Sequence, residues 1–187
     1  MALIIKFMKN YFFKPAKFPT IPKRDDPKND DFLFHQGETK GLGKIQFHDY
    51  RLAYDSVNLP NVKVFKEQIK GLKRLLLLAG PSKEQTQDFD FLLILGELFT
   101  LVAYGQLIIE NSKIYAIEGD VLDQIFDFMI RDFSKFALQL YSKTSSTRLQ
   151  MLLGRMLIRK PVNDPTRFAR VWKNHVQVLN NTYAMNE

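Results

Sequence analysis

Apolar residues crowd the chain between Ser82 and Ile114 and recur at helical spacing on both sides of that stretch. From Phe91 to Ile109 they face every direction of a helix, so a predicted helix over Ser82–Ile114 must be enclosed by other helices or by lipid. Ser82 and Gln85 form a predicted capping box at its start. Before it, Val62, Phe65, Ile69, Leu72, Leu75 and Leu76 make the buried stripe of a helix from about Asn61 to Ala79, with Pro60 ahead of it and Gly80-Pro81 closing it. Lys63, Lys66, Lys70, Lys73 and Arg74 form its wet face. After it, Leu122, Ile125, Phe126, Met129, Phe133, Phe136, Ala137 and Leu140 mark a third helix, capped by Asp120 and ending near Ser142.

A fourth helix is expected from Ser145 or Ser146, with Leu149, Leu152, Leu153, Met156 and Leu157 inward and Pro161 as its stop. Asp164-Pro165 opens a fifth through Phe168, Val171, Trp172, Val176 and Leu179. The fold class expected is all-α, an antiparallel bundle of about five helices over residues 59–187. Residues 1–58 are expected to pack on it as an N-terminal helix and an irregular, Pro/Gly-rich lead-in. The helix carries a Leu3, Ile4, Phe7, Met8 stripe, while Pro15, Pro19, Pro22 and Pro27 forbid a continuous helix after it. Phe12, Phe13, Phe18, Ile21, Phe32, Leu33 and Phe34 suggest that the lead-in lies across the core surface. Helical pattern from the second residue is what a piece of a longer chain would show, and the apolar start is too short for a signal peptide.

Composition narrows this picture. The chain of 187 residues is 45% hydrophobic and 25% charged, as ordinary globular proteins are, and is long enough for one good core. Its lack of cysteine excludes disulfides, thiolate nucleophiles and cysteine metal sites. Glu97 and Gln106 inside the apolar run, the two glycines Gly96 and Gly105, and the absence of close basic flanks argue against a membrane span and for a central buried helix. Gly96 and Gly105 then mark close helix approaches. The net charge of +7 divides into +3 over residues 1–50, +4 over 51–80, −5 over 81–144 and +5 over 145–187. An acidic middle between basic segments suits helices that pair with one another.

Candidate chemistry is sparse. Gln36–Lys44 holds Gly37, Gly41 and Gly43 with Lys40 and Lys44, but five residues separate Gly37 from Gly43 where a phosphate loop has four. Ile45 stands where a magnesium-binding hydroxyl belongs, so a structural turn is expected. His35, His48 and His175 lie far apart and have no metal-ligand partner at i+4. Glu97, in apolar surroundings, is either a carboxylate of raised pKa suited to a general base or the partner of Arg131, Arg155 or Arg159 on a facing helix; the ion pair is the expectation. Glu118-Gly119 is expected to be an inter-helix loop with Gly119 as a C-cap residue. Arg51 with the Lys63–Arg74 series offers a basic face, and aromatic residues at core spacing do not alternate with it as nucleic-acid binding would require.

The phrases Phe18–Lys23 (FPTIPK), Gln36–Tyr50 (QGETKGLGKIQFHDY) and Asp90–Ile108 resemble the C-terminal region of large bacterial acyl-CoA dehydrogenases. Leu122–Asp127, Arg131–Ser134, Arg159–Val162 and Tyr183–Met185 are similar to the same region. The resemblance implies the additional C-terminal helical domain of a family that oxidises acyl-CoA thioesters with FAD and a glutamate base. No segment matches that family's β domain, flavin-binding strands or base-bearing region, and Glu118-Gly119 falls inside the additional domain. No catalytic or metal-ligating residue is therefore assigned, flavin-binding residues are left open, and FAD is expected in the full-length family and not on this chain. The implied role is bracing or assembly, with acyl-CoA dehydrogenase catalytic domains or a second copy as partner, in the cytoplasm. The alternative is a stand-alone helical module whose basic face binds an acidic partner.

Overall fold

The computed structural model describes residues 2–15, 47–180 and 182, and the regular elements among them are all helical. They are α1 (Ala2–Phe13), α2 (Tyr50–Asp55), α3 (Pro60–Leu78), α4 (Phe89–Ile114), α5 (Gly119–Ser142), α6 (Arg148–Leu157) and α7 (Arg167–Val171). A π-helical turn, Trp172–Val176, and a 3-10 turn, Gln177–Leu179, continue α7. The all-α class holds. Five α-helices, α3 to α7, lie within residues 59–187, and a further short helix, α2, forms inside the stretch expected to be irregular, where the Asp49 carboxylate accepts from the Arg51 backbone N–H and caps it.

Side-chain pairings fix the helix directions. Asn61 meets Asp123 and Gln68 meets Ile130, so α3 and α5 run parallel. Asp88 at the start of α4 receives Ser145 from beyond the end of α5, and Gly154 of α6 sits against Ala137 and Tyr141 of α5. Gly71 faces Leu157, while Gln150 reaches Ala79. The result is up–down–up–down through α3, α4, α5 and α6. The α5 helix is the hub, touching α3, α4, α6 and α7, with α1 and α2 laid on α4. The aromatic core follows: Phe65 packs edge-on against Phe126 and Phe133, and Tyr54 against Phe126.

Several helix ends differ from the sequence reading. The Ser82–Gln85 reciprocal bonds exist, but they cap a turn, and α4 starts later with Asp88 accepting from Phe91 N. A true capping box, Thr147 with Gln150, opens α6 in place of Ser145 or Ser146, and α6 stops at Leu157 well before Pro161. Glu118, not Asp120, is the N-cap of α5, so Gly119 begins a helix where a C-cap was expected. The left-handed position between α4 and α5 falls on Ala116, at φ 52°. On α1, Leu3 of the expected stripe is exposed, and Met8, Tyr11 and Phe12 carry the burial. On α6 the same happens to Leu149, Leu152 and Met156, while Gln150, Gly154 and Leu157 go inside.

Buried polar side chains tie the frame together. Gln68 Nε2 donates to the Ile130 and Leu157 carbonyls and to Ser134. Gln85 and Gln150 exchange reciprocal amide bonds at 2.8 and 2.9 Å, and they also satisfy Ser145 O and Ala79 O. Such bonds satisfy the Leu157 and Ala79 carbonyls at helix ends.

Candidate docking surface

Of the groups singled out in the sequence, Gln36–Lys44 and His35 lie outside the described residues. Glu97 sits half-buried on the outer side of α4, and among the described residues it forms no ion pair with Arg131, Arg155, Arg159 or any other cation. The expected pairing fails because Arg131 turns back to Asp127 on its own helix at 2.8 Å. His175 lies 3.0 Å from Glu118 on the surface, which places Glu118 in a helix-docking contact. Among the described residues no three His, Asp or Glu side chains converge as metal ligands do.

One polar chain escaped the sequence reading because its members are scattered over a hundred residues. The Tyr11 hydroxyl donates to Gln106 Oε1 at 2.6 Å, Gln106 Nε2 donates to Glu110 at 2.8 Å, and His48 Nδ1 lies 3.1 Å from the same carboxylate. Burial holds the Tyr11 phenol well above its ordinary pKa, with the Tyr50 ring and the Glu110 charge adding to it. The chain fastens α1 and the 47–50 segment to α4. Gln106, which argued against a membrane span in the sequence, thus has a structural task.

The basic face is real and partly neutralised. Lys66 pairs with Asp55 at 2.5 Å, Lys70 with Glu67 at 2.7 Å and Arg51 with Asp49 at 2.6 Å, while Lys73 lies over the Phe13 ring at 5.2 Å. A hollow of about 240 Å³ between α2 and α3 has Tyr54 and Ile69 in its lining and Lys66, Lys70 and Lys73 around it. A second, of about 180 Å³ between α3 and α6, is bordered by Lys70, Arg74 and Arg159.

The larger departure from expectation is apolar. The α4 helix, predicted to be enclosed, is covered by α5 on one side and by α1 and α2 on another, and the described residues leave a third side open. There Phe89, Leu93, Tyr104 and Leu107 are 50–59% exposed, in line with Glu97 and Thr100. Toward the start of α4 this face runs into an apolar groove of about 330 Å³ bordered by Leu3, Ile4, Phe7 and Leu92. By length and composition α4 is also the one helix among the described residues able to cross a membrane, and 56% of its most apolar window is buried in protein.

The C-terminal helix is mounted with its apolar side outward. Arg167, which the sequence reading did not single out, is buried against Asp123 and Asp127 and donates to Gln124 Oε1 at 3.0 Å. Arg170 bridges Asp120 at 2.6 Å and Asp164 at 3.0 Å. Of the apolar residues expected along this helix, Phe168, Trp172, Val176 and Leu179 are 43–57% exposed and Val171 is half-buried, with the Phe168 and Trp172 rings stacked at 6.2 Å. Sequence periodicity found this stripe but could not say which side the body of the protein occupies.

Comparison of the chain with models of known protein families, with curated proteins and with solved structures finds no match.

Proposed function

We propose that this chain is a non-catalytic helical domain of an acyl-CoA dehydrogenase-like, FAD-dependent system, acting in bracing or assembly of the enzyme. The observation that carries the assembly part is the open face of α4: a 26-residue apolar helix with Phe89, Leu93, Tyr104 and Leu107 half exposed beside a groove. Contiguous exposed apolar surface of this kind marks a site of association in soluble proteins. The enzymatic part rests on the resemblance of the sequence phrases alone. FAD belongs to the catalytic partner on this reading, and the domain shapes or stabilises that partner by contact.

Two measurements test it. The purified chain, incubated with FAD and desalted, is expected to be colourless, and a retained flavin band would replace the bracing role with a cofactor-binding one. Mixed with the FAD-loaded catalytic domains of an acyl-CoA dehydrogenase from the same source, the chain is expected to co-elute and to alter their oligomeric state or turnover. Absence of any complex at micromolar concentrations sinks the reading.

The hollows flanked by Lys70 favour a second reading, an acidic partner on the α3 face. That mode predicts affinity that falls steeply as salt is raised, whereas an apolar brace changes little.

A further inference from the structure

Two exposed apolar stripes of helical spacing complement one another in charge. On α4 the outward positions Leu93, Glu97, Thr100, Tyr104 and Leu107 alternate steps of four and three residues, the spacing of a seam that accepts another helix. That seam is about 21 Å long at 1.5 Å per residue, and the Phe168–Leu179 stripe is about 16 Å. Near the middle of the α4 seam stands Glu97, a half-buried carboxylate with no ion pair among the described residues. Beside Trp172 near the middle of the C-terminal stripe stands Lys173, exposed and likewise without an ion pair among the described residues. The C-terminal helix cannot fold its stripe inward while Arg167 remains buried against Asp123 and Asp127 on α5.

We infer that the occupant of the α4 seam is the C-terminal helix of a second copy of this chain, docked reciprocally across a two-fold axis, with Lys173 of each copy opposite Glu97 of the other. Charge complementarity selects this pairing: it sets the Lys173 ammonium opposite the Glu97 carboxylate, whereas two α4 seams packed face to face gain no such pair. Setting Lys173 opposite Glu97 brings Leu93, Tyr104, Phe168, Trp172, Val176 and Leu179 of each copy, all about half exposed, into the contact, which amounts to about 500–600 Å² from each partner at ~150–250 Å² per aromatic ring and somewhat less per aliphatic chain. That lies at the small end of specific interfaces, so dimerisation belongs to the micromolar range. The polar mounting of α7 then has a purpose: the Arg167 and Arg170 contacts hold the helix ready, so less ordering is lost on association. This proposal deepens the assembly reading by naming a partner, and it rests on that reading.

Sedimentation velocity of the full chain at micromolar concentration is expected to show a dimer, and Trp172 emission is expected to move to shorter wavelength as concentration rises. Glu97→Lys and Lys173→Glu should each weaken dimerisation about tenfold or more, and the double variant should recover most of the loss. Both positions lie on the outside of helices, and unchanged far-UV circular dichroism will show that the variants fold. Because the chain has no cysteine, the Glu97→Cys, Lys173→Cys double variant supplies a second measurement: mild oxidation should link copies through the two different positions. A monomer at every concentration, a dimer indifferent to both charge reversals, or cross-linking only between like positions overturns the proposal. A monomer that still binds acyl-CoA dehydrogenase catalytic domains would end this proposal and leave the bracing role standing. A dimer that binds none would do the reverse.

Discussion

At Gly105 the buried side of α4 comes so close to its neighbours that a Cβ would strike the Tyr54 hydroxyl, Met129 Cε at 3.0 Å and Phe126 Cε1 at 3.3 Å. Tyr54 cannot swing away cheaply, because its hydroxyl donates to the Val102 carbonyl at 2.8 Å inside the core. Gly105→Ala should therefore destabilise the fold by about 1–2 kcal/mol, overpacking strain outweighing alanine's better helix propensity. Gly119→Ala is the control: its Cβ would meet only Leu59 Cδ2 at 3.5 Å, and urea unfolding should separate the two variants clearly. The sequence signalled the first position, since a glycine inside an apolar helical run asks for a close approach. It did not reveal Gln68 or Gln150, nor the burial of Gln85, because a buried glutamine shows itself only through partners supplied by other segments.

Among the elements, the C-terminal helix depends on a few charged contacts. Arg167→Met keeps the bulk but leaves Asp123 buried without its cation, and Asp123 also accepts from the Asn61 backbone N–H at 2.8 Å. Breaking a buried pair from one side costs about 3–5 kcal/mol. The expected outcome is a lower Tm with Trp172 emission insensitive to the remaining fold, read by thermal denaturation followed at both signals. Acid should act on the same element. The Arg170 guanidinium holds the Asp120 carboxyl below the usual carboxylate range; the Thr166 hydroxyl, followed by Arg170, does the same for Asp164. Groups with lowered folded-state pKa stabilise above the ordinary carboxylate range, and that contribution disappears as pH falls through it. Trp172 emission, from the chain's one tryptophan, should change on acidification before far-UV ellipticity does. Simultaneous loss of both signals would show that the helix is not held by these contacts.

Across the whole molecule, alkaline pH probes the opposite sign. Burial raises the Tyr11 and Tyr54 phenols above their ordinary pKa near 10. The unfolded chain releases these protons first, so the folded state binds more of them, and stability present below pH about 10 falls as pH climbs beyond it. A Tm that declines above that point, with Tyr11→Phe reducing the decline, is the expected result. Tyr11 and Tyr54 sit where α1, α2 and α4 meet, so the same titration reports whether the N-terminal helix stays attached to the bundle.

Periodicity alone determined the helical class, the order of the helices, the inward stripes of α3 and α5, and the close approaches at Gly96 and Gly105. Those depend on local spacing, and local spacing is written in the chain. Helix ends were legible only to within a few residues, because several hydroxyls and carboxylates compete to cap each start: Asp88 and Thr147 prevailed over Ser82 and Ser145. Tertiary structure decided which side of each stripe is covered. The α4 helix is apolar all round, and only the placement of α1, α2 and α5 shows which face the described residues leave open. The C-terminal stripe is amphipathic, and only the burial of Arg167 turns its apolar side to solvent. Burial depends on what lies opposite, and a single chain read end to end holds no record of its neighbours in space.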